Sequence, residues 1–114
     1  MAKVTIIGAG NVGATAAQRL FEKNLCDVAL LDIVEGLPQG KALDIAHSAH
    51  IIGLNNWIIG TNDYADTANS DVVIITSGVA RKPGMTRAQL VEINAGIVGD
   101  VASKVALTSP EAIL

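Results

Sequence analysis

A glycine pattern near the amino terminus is the first feature that could do chemistry. The segment from Gly8 to Gly13 reads G-x-G-x-x-G, follows an apolar run and opens a stretch with helical periodicity. That context is typical of a dinucleotide-binding turn, in which Gly8 permits the tight turn and Gly10 lets a pyrophosphate approach the backbone. Gly13 lets the helix pack close to the sheet, and the N–H groups at the helix start face the anion. A glycine-rich turn without a ligand is the alternative.

An aspartate lies where such a fold places an acid for the ribose. Asp32 ends the second apolar run, 19 residues beyond Gly13. Its carboxylate would accept hydrogen bonds from the adenosine ribose hydroxyls and would repel a 2′-phosphate, so the sequence favours NAD over NADP. No arginine lies between Ile33 and Leu37 to reverse that preference. The alternative is an aspartate that caps the end of a strand.

Two arginines accompany a segment with glycines and a proline over residues 78–87. The segment follows the fourth apolar run, which places it at the carboxyl edge of a parallel sheet, where ligands bind. Its length and composition suit a mobile lid. Arg81 and Arg87 could each grip a carboxylate through two hydrogen bonds, which suits a dianionic substrate. A solvated basic loop is the alternative, since surface arginines are common.

Four short apolar runs and three helical stretches would position these residues. The runs cover residues 4–7, 28–31, 57–59 and 72–75 and are continuous, as in strands buried on both faces. Helices are predicted over residues 11–23, 38–50 and 86–104, with Pro38 in a first turn and Thr86 as an N-cap. This order predicts an α/β fold with a doubly wound parallel sheet, the Rossmann-type NAD-binding fold.

The first and last predicted helices have apolar faces. The first face comprises Val12, Thr15, Ala16, Leu20 and Phe21, and the last comprises Leu90, Ile93, Ile97 and Val101. Residues 111–114 are interpreted as the opening of a fifth strand, within which we expect the chain to be truncated. Residues 1–114 would then form one incomplete dinucleotide-binding domain, without a catalytic or substrate domain.

Composition and charge exclude several other classes of function. Half of the residues are apolar, 17% are charged and the net charge is −3, which excludes disorder and makes a nucleic-acid partner unfavourable. Cys26 is the single cysteine, so no internal disulfide forms, and no metal-ligand pattern occurs. No apolar run reaches the roughly 18 residues of a membrane span, and the amino terminus does not resemble a signal peptide. We therefore expect a cytoplasmic protein.

Four segments are distinctive as strings: IIGAGNVG at residues 6–13, LLDIVEGLPQGKALD at 30–44, TNDYADTANSDVVIIT at 61–76 and ARKPGMTR at 80–87. They resemble the malate dehydrogenases, in the lactate dehydrogenase-like branch of the lactate/malate dehydrogenase family. The resemblance covers essentially the whole chain and implies hydride transfer between malate and oxaloacetate, with NAD as cofactor. The cofactor-binding candidates are Gly8, Gly10, Asn11, Val12, Gly13, Asp32, Ile33, Thr76, Ser77, Gly78 and Asn94.

The same resemblance assigns the substrate side. It implies that Arg81 selects dicarboxylates, where lactate enzymes carry glutamine, and that Arg87 polarises the substrate carbonyl. The family's catalytic histidine and its aspartate, a clamping arginine and an asparagine after the fifth strand would lie beyond residue 114. His47 and His50 do not match the catalytic position and are interpreted as surface or interface residues, so no catalytic residue is predicted in this chain.

Family members also pack the helix over residues 40–49 against another subunit, which implies a homo-oligomer or a self-associating chain. Two alternatives remain open beside an enzyme's NAD-binding half. One is a stand-alone NAD-binding module without chemistry, although such a module has no need of Arg81 and Arg87. The other is an inactive structural fragment whose cofactor site does not form.

Overall fold

The central sheet has four parallel strands. In the computed structural model, which describes residues 1–114, these are β1 (Ala2–Ile7), β2 (Cys26–Leu31), β3 (Ile58–Thr61) and β4 (Val72–Ile75). Their order across the sheet is β3-β2-β1-β4. The second and third strands are therefore added on one side of β1, and the fourth strand is added on the other side of β1. This reversal confirms the doubly wound fold and creates a switch point between β1 and β4, where such sheets bind ligands.

Helices connect the strands and cover both faces of the sheet. They are α1 (Asn11–Glu22), α2 (Leu37–Ala46), α3 (Ala49–Ile52) and α4 (Arg87–Thr108), and a 3-10 turn spans Tyr64–Thr67. Thr86 caps α4 as predicted, because its hydroxyl accepts from the Gln89 N–H while the Gln89 side chain accepts from the Thr86 N–H. None of the helices combines the length and the apolar composition that a membrane span requires.

Neighbouring residues on each central strand belong to different core clusters. Ile6 and Leu30 lie in the cluster that includes residues of α1 and α2. Ile7 and Leu31 lie in the cluster that includes residues of α4. All four side chains are at most 2% exposed. The strands therefore bury both faces, which is why their apolar runs are continuous instead of alternating.

The prediction of one helix over residues 38–50 is wrong, because the structure has two helices separated at His47 and Ser48. The Ser48 hydroxyl donates to the Ile45 carbonyl (2.7 Å), and the Ser48 N–H bonds the same carbonyl (3.1 Å). These local bonds replace the α-helical pattern, as serine side chains commonly do. Pro38 does lie in the first turn of α2, as predicted.

The buried face of α1 agrees with the predicted one at Phe21, and Ala16 and Leu20 pack against the core, but the first turns differ. It follows Gly13, Ala17 and Phe21, whereas Val12 is 72% exposed and Thr15 also faces solvent. Small residues at the contact let a helix approach a sheet closely, so the helix turns Gly13 and Ala17 inward and leaves the larger Val12 outside.

Helix α4 ends four residues later than predicted, at Thr108. Val105 continues the buried stripe of Val101 in the second core cluster, so packing carries the helix onward. On the same predicted face, Leu90 and Ile97 are half-buried and Ile93 is 43% exposed. Only the carboxyl-terminal half of α4 therefore packs on the core.

The remaining strands lie close to their predicted positions. β3 covers residues 58–61 rather than 57–59, and Trp57 is 41% exposed before it. The opening of a fifth strand is present as one parallel bridge between Ile113 and Val72. The Ile113 N–H donates to the Asp71 carbonyl (3.0 Å), and the Ile113 carbonyl accepts from the Val73 N–H (2.8 Å). β4 thus has a neighbour on each side.

Gly60 on β3 marks a close approach of α2 to the sheet, because a Cβ atom there would overlap the Pro38 carbonyl group. We predict that Gly60→Ala lowers the free energy of unfolding by about 1–3 kcal/mol, since backbone cannot move aside as a side chain can. The matched control is Gly96→Ala, which has open space on α4 and should raise stability by about 1 kcal/mol. Urea unfolding measures both, and a Gly60→Ala chain as stable as the parent would contradict this packing.

Candidate functional site

The turn between β1 and α1 depends on two glycines for steric reasons. Gly8 has a φ of 111°, and a Cβ atom on it would lie 2.5 Å from Thr76 Oγ1. A Cβ atom on Gly13 would overlap the Gly8 carbonyl oxygen. Both positions therefore need glycine before any ligand is considered. The sequence predicted that Gly13 is needed for close packing of the helix on the sheet. The structure adds that a side chain on Gly13 would collide with the backbone of the glycine turn, at Gly8.

The third glycine of the motif has a different environment. A Cβ atom on Gly10 would meet nothing within 4 Å, so no part of this chain explains the absence of a side chain there. Gly10 is also the N-cap of α1, without a side-chain cap, and the first turn of the helix carries no acidic residue. The free N–H groups at this helix start therefore have the geometry and the partial positive charge to hold an anion.

Asp32 joins the end of β2 to the glycine turn. Its Oδ2 accepts a hydrogen bond from the Ala9 N–H (2.7 Å), and its Oδ1 accepts from the Val34 N–H (3.0 Å). The alternative of a structural aspartate at the end of a strand is therefore realised. A carboxylate has about four acceptor sites, however, so two remain for the hydroxyls of a ligand.

Asn62, which sequence reasoning missed, holds the backbone on either side of Ile33. Its Nδ2 donates to the Asp32 carbonyl (2.8 Å) and to the Val34 carbonyl (3.0 Å). Its Oδ1 accepts from Gln39 Nε2 (2.6 Å). Asn62 directly follows β3, at the carboxyl edge of the sheet, and that position was the available signal.

The end of β4 is fastened to the end of β1. Thr76 Oγ1 lies 3.1 Å from the carbonyl oxygens of both Ile7 and Gly8, and Ser77 Oγ donates to the Ile7 carbonyl (3.1 Å). The Thr76 N–H also donates to Ile7 (2.8 Å). These bonds hold the two strand ends together at the switch point, so the hydroxyls of the predicted Thr76–Gly78 segment have structural partners of their own.

A cleft of about 480 Å³ opens at this switch point. The cofactor-binding candidates from the sequence that line this cleft are Gly8, Gly10, Asp32, Ile33, Thr76, Ser77 and Gly78. Apolar side chains that the sequence did not assign add to the same walls, among them Val79 and Ile97. The cleft thus combines an anion-suited helix start, a carboxylate with free acceptor sites and an apolar surface, which are the features that a dinucleotide requires.

A tyrosine, a lysine and an aspartate form another part of the cleft wall that sequence reasoning missed. Lys104 Nζ lies 2.9 Å from Asp100 Oδ2 and 5.4 Å from the centre of the Tyr64 ring. Burial raises the pKa of the Tyr64 phenol above its usual range, while Lys104 lowers it and Asp100 raises it. The phenol therefore stays protonated at neutral pH.

Several predicted site residues lie outside the lining of this cleft. Arg81 is exposed on the loop, where its Nε donates to the Met85 carbonyl (3.1 Å), and Arg87 is exposed at the start of α4. Neither arginine forms an ion pair. The structure therefore does not bring the two arginines to the cleft, and a carboxylate grip is not assembled in this chain.

The other predicted site residues outside the lining are Asn11, Val12, Gly13 and Asn94, and the two histidines, which were not predicted to belong to the site, also lie outside it. Asn11 and Val12 are exposed in the first turn of α1. His47 and His50 are exposed around the break between α2 and α3, as the sequence predicted. No three His, Cys, Asp or Glu side chains come together as a metal site.

The chain is similar to known malate dehydrogenases over its whole length. A family model described as the lactate/malate dehydrogenase NAD-binding domain matches residues 2–114. The chain is 60% identical over 114 residues to the malate dehydrogenase of Dehalococcoides mccartyi, and this match covers all of the chain and 37% of that protein. The chain therefore spans about a third of the length of the curated relatives it matches.

The fold of this chain is also similar to that of malate dehydrogenases of known structure. The apo malate dehydrogenase of Picrophilus torridus superposes with a TM-score of 0.94 at 43% identity, over 97% of this chain and 36% of that one. The malate dehydrogenase of Archaeoglobus fulgidus in complex with NADH superposes with a TM-score of 0.90 at 42% identity, over 96% of this chain and 38% of that one.

Proposed function

This chain belongs to the lactate/malate dehydrogenase family as its NAD-binding domain, and from that premise we propose that it holds NAD in the switch-point cleft and serves the oxidation of malate and the reduction of oxaloacetate. The observation that supports this most directly is the empty space at Gly10 beside the free acceptor sites of Asp32. NAD, when bound, supplies the hydride acceptor, and NADH supplies the hydride.

We assign three contacts to the nucleotide. The N–H groups at the start of α1 hold the pyrophosphate, which can approach because Gly10 has no side chain. The free acceptor sites of Asp32 take the adenosine ribose hydroxyls. Ile33 and Val79, which line the apolar part of the cleft, contact the adenine ring. Asn62 contributes indirectly, because it fixes the backbone that carries Asp32 and Ile33.

The same contacts select NAD over NADP. Asp32 is partly buried and already accepts two backbone N–H groups, so its carboxylate is fixed in place. A 2′-phosphate on the ribose would bring a second negative charge against it, with no arginine between Ile33 and Leu37 to compensate. Two negative charges brought close together at this position would repel each other.

We predict that Asp32→Ala weakens NAD binding by about 10- to 150-fold, the equivalent of the 1.5–3 kcal/mol of charge-assisted hydrogen bonds, and removes the preference over NADP. Asp27→Ala is the matched control, because Asp27 lies on β2, the strand that Asp32 follows, and also accepts a backbone N–H, from Trp57 (3.0 Å). Calorimetric titration with NAD and NADP measures both variants. Equal NAD affinity in the Asp32→Ala chain would show that the ribose lies elsewhere.

The substrate side requires more than these 114 residues. By the family resemblance, the acid/base histidine lies outside them, and His47 and His50 are exposed away from the cleft. We therefore propose that residues 1–114 form one incomplete domain that binds NAD but does not turn over malate by itself. Arg81 remains suited to a carboxylate, because Met85 holds its Nε and the two terminal nitrogens have no ion-pair partner.

A chimera tests the proposed reaction. Residues 1–114 replace the matching segment of the Dehalococcoides mccartyi malate dehydrogenase, and NADH oxidation is measured with oxaloacetate and with pyruvate. We predict an active chimera in which Arg81→Gln reduces the preference for oxaloacetate by about 30-fold or more, because the substrate's second carboxylate loses its counter-charge.

Lys82→Gln is the matched control for that chimera, since it removes the same charge from the neighbouring position on the loop. Its preference for oxaloacetate should stay close to that of the parent. A preference that Arg81→Gln leaves unchanged would mean that Arg81 is a solvated loop charge. A chimera that folds and binds NAD but reduces neither substrate would contradict the proposed reaction itself.

We also propose that the protein is cytoplasmic and self-associates. A single cysteine without a disulfide partner suits a reducing compartment. Leu43, Ile51 and Ile52 are exposed apolar side chains on α2 and α3, and exposed apolar surface favours association. Light scattering across a range of micromolar concentrations should give a mass above 11.7 kDa. A monomer at every concentration would contradict self-association.

A further inference from the structure

Asn94 makes a two-point contact with the backbone of one residue on the opposite segment. Its Oδ1 accepts from the Val79 N–H (2.8 Å), and its Nδ2 donates to the Val79 carbonyl (3.3 Å). The side-chain amide of Asn94 thus bonds both the N–H and the carbonyl of one residue, as a neighbouring backbone does in a β-sheet. Here the contact joins the middle of α4 to the loop after β4. Asn94 does not line the cleft, whereas Val79 does.

We propose that Asn94 is a positioning residue that acts on the nucleotide through Val79, a role that rests on the proposed function. The family resemblance places Asn94 among the cofactor-binding residues, yet both functional groups of its side chain already serve Val79. By fixing Val79, Asn94 sets the position of the cleft wall that faces the adenosine half of NAD. It also separates this wall from the loop tip that carries Arg81.

Gly78 is adapted to the same contact. A Cβ atom on Gly78 would lie 3.1 Å from Asn94 Oδ1, which is tighter than an ordinary van der Waals contact. An alanine at this position would press on the amide that binds Val79. The pairing therefore has a steric requirement on the loop as well as a polar requirement on the helix.

The loop beyond Val79 is bonded mainly to itself. Arg81 Nε and the Met85 N–H form hydrogen bonds within the tip, to the Met85 and Lys82 carbonyls respectively. The next attachment to α4 is the capping box of Thr86 and Gln89. Asn94 and this capping box are thus the two places where side chains of α4 and its N-cap attach the loop to the helix.

Helix propensity indicates that Asn94 does not stabilise helix α4. Asparagine ranks well below alanine in a helix interior, and Asn94 lies in the eighth position of the 22-residue helix α4. Asn94→Ala should therefore leave the melting temperature unchanged or raise it. A loss of loop order in that variant would then come from the missing contact with Val79 and not from a weakened helix.

The test uses the whole 114-residue chain and two readouts. The first is trypsin cleavage after Arg81, which we expect to be about tenfold faster in Asn94→Ala than in the parent, because two hydrogen bonds are lost. Asn94→Asp keeps an acceptor for the Val79 N–H and should be cleaved at an intermediate rate. Val91→Ala, an exposed position on the same helix, should be cleaved at the parent rate.

The second readout is calorimetric titration with NAD and with AMP. If Asn94 acts through Val79, Asn94→Ala weakens both ligands by a similar factor of about five to ten, because AMP contains the adenosine half that Val79 faces. If Asn94 contacts the nicotinamide half directly, only NAD is weakened, and the proposal is overturned. Cleavage of Asn94→Ala at the parent rate would overturn it as well.

The two readouts separate this proposal from the proposed function. A parent chain that binds neither NAD nor AMP contradicts the nucleotide site, and the adenosine-wall role falls with it. Trypsin cleavage after Arg81 needs no ligand and would still decide whether Asn94 holds Val79. Far-ultraviolet circular dichroism on each variant establishes that α4 is intact, and Asn94→Asp provides a second route if Asn94→Ala does not fold.

Discussion

One hydrogen bond sets the geometry on which the cleft depends. The Ala9 N–H donates to Asp32 Oδ2 over 2.7 Å, and it thereby ties the glycine turn after β1 to the end of β2. Ala9 is fully buried, so an unpaired N–H at this position would carry the full cost of a desolvated donor. The carboxylate that we propose for the ribose is therefore also the acceptor that the turn needs. The proposed binding role of Asp32 and its structural role would thus rest on the same side chain.

The hydrogen bonds around that contact explain why the cleft is already formed without a bound ligand. Thr76 and Ser77 hold the end of β4 against β1, and Asn62 holds the turn after β2. Thr76 and Asn62 directly follow β4 and β3, and Ser77 is the next residue after Thr76, so all three lie at the carboxyl edge of the sheet. A ligand that enters this edge meets groups that are already oriented, which lowers the entropy that binding must overcome.

The sequence predicted the parts of this arrangement that depend on local pattern. The glycine spacing, Asp32 at the end of β2 and the continuous apolar runs all follow from backbone geometry, and the structure has each of them. The predicted face of α1 was wrong only in its first turns, because apolar periodicity ranks Val12 above Gly13, while close packing selects the smaller residue. Asn62 and Tyr64 escaped assignment, and the contact of Asn94 with Val79 was not foreseen, because the partners lie 15 to 40 residues away and no pattern in one sequence records such contacts.

The central claim is that the turn is built before the nucleotide arrives and that NAD occupies its open side. Amide resonances of a ¹⁵N-labelled chain, followed during titration with NAD, test this most directly. The account predicts that the amides of Gly10 and Gly13 shift with the added nucleotide, while the Ala9 amide remains protected from hydrogen exchange in both states. An Ala9 amide that exchanges freely in the unliganded chain, or shifts that leave Gly10 and Gly13 unaffected, would contradict the account.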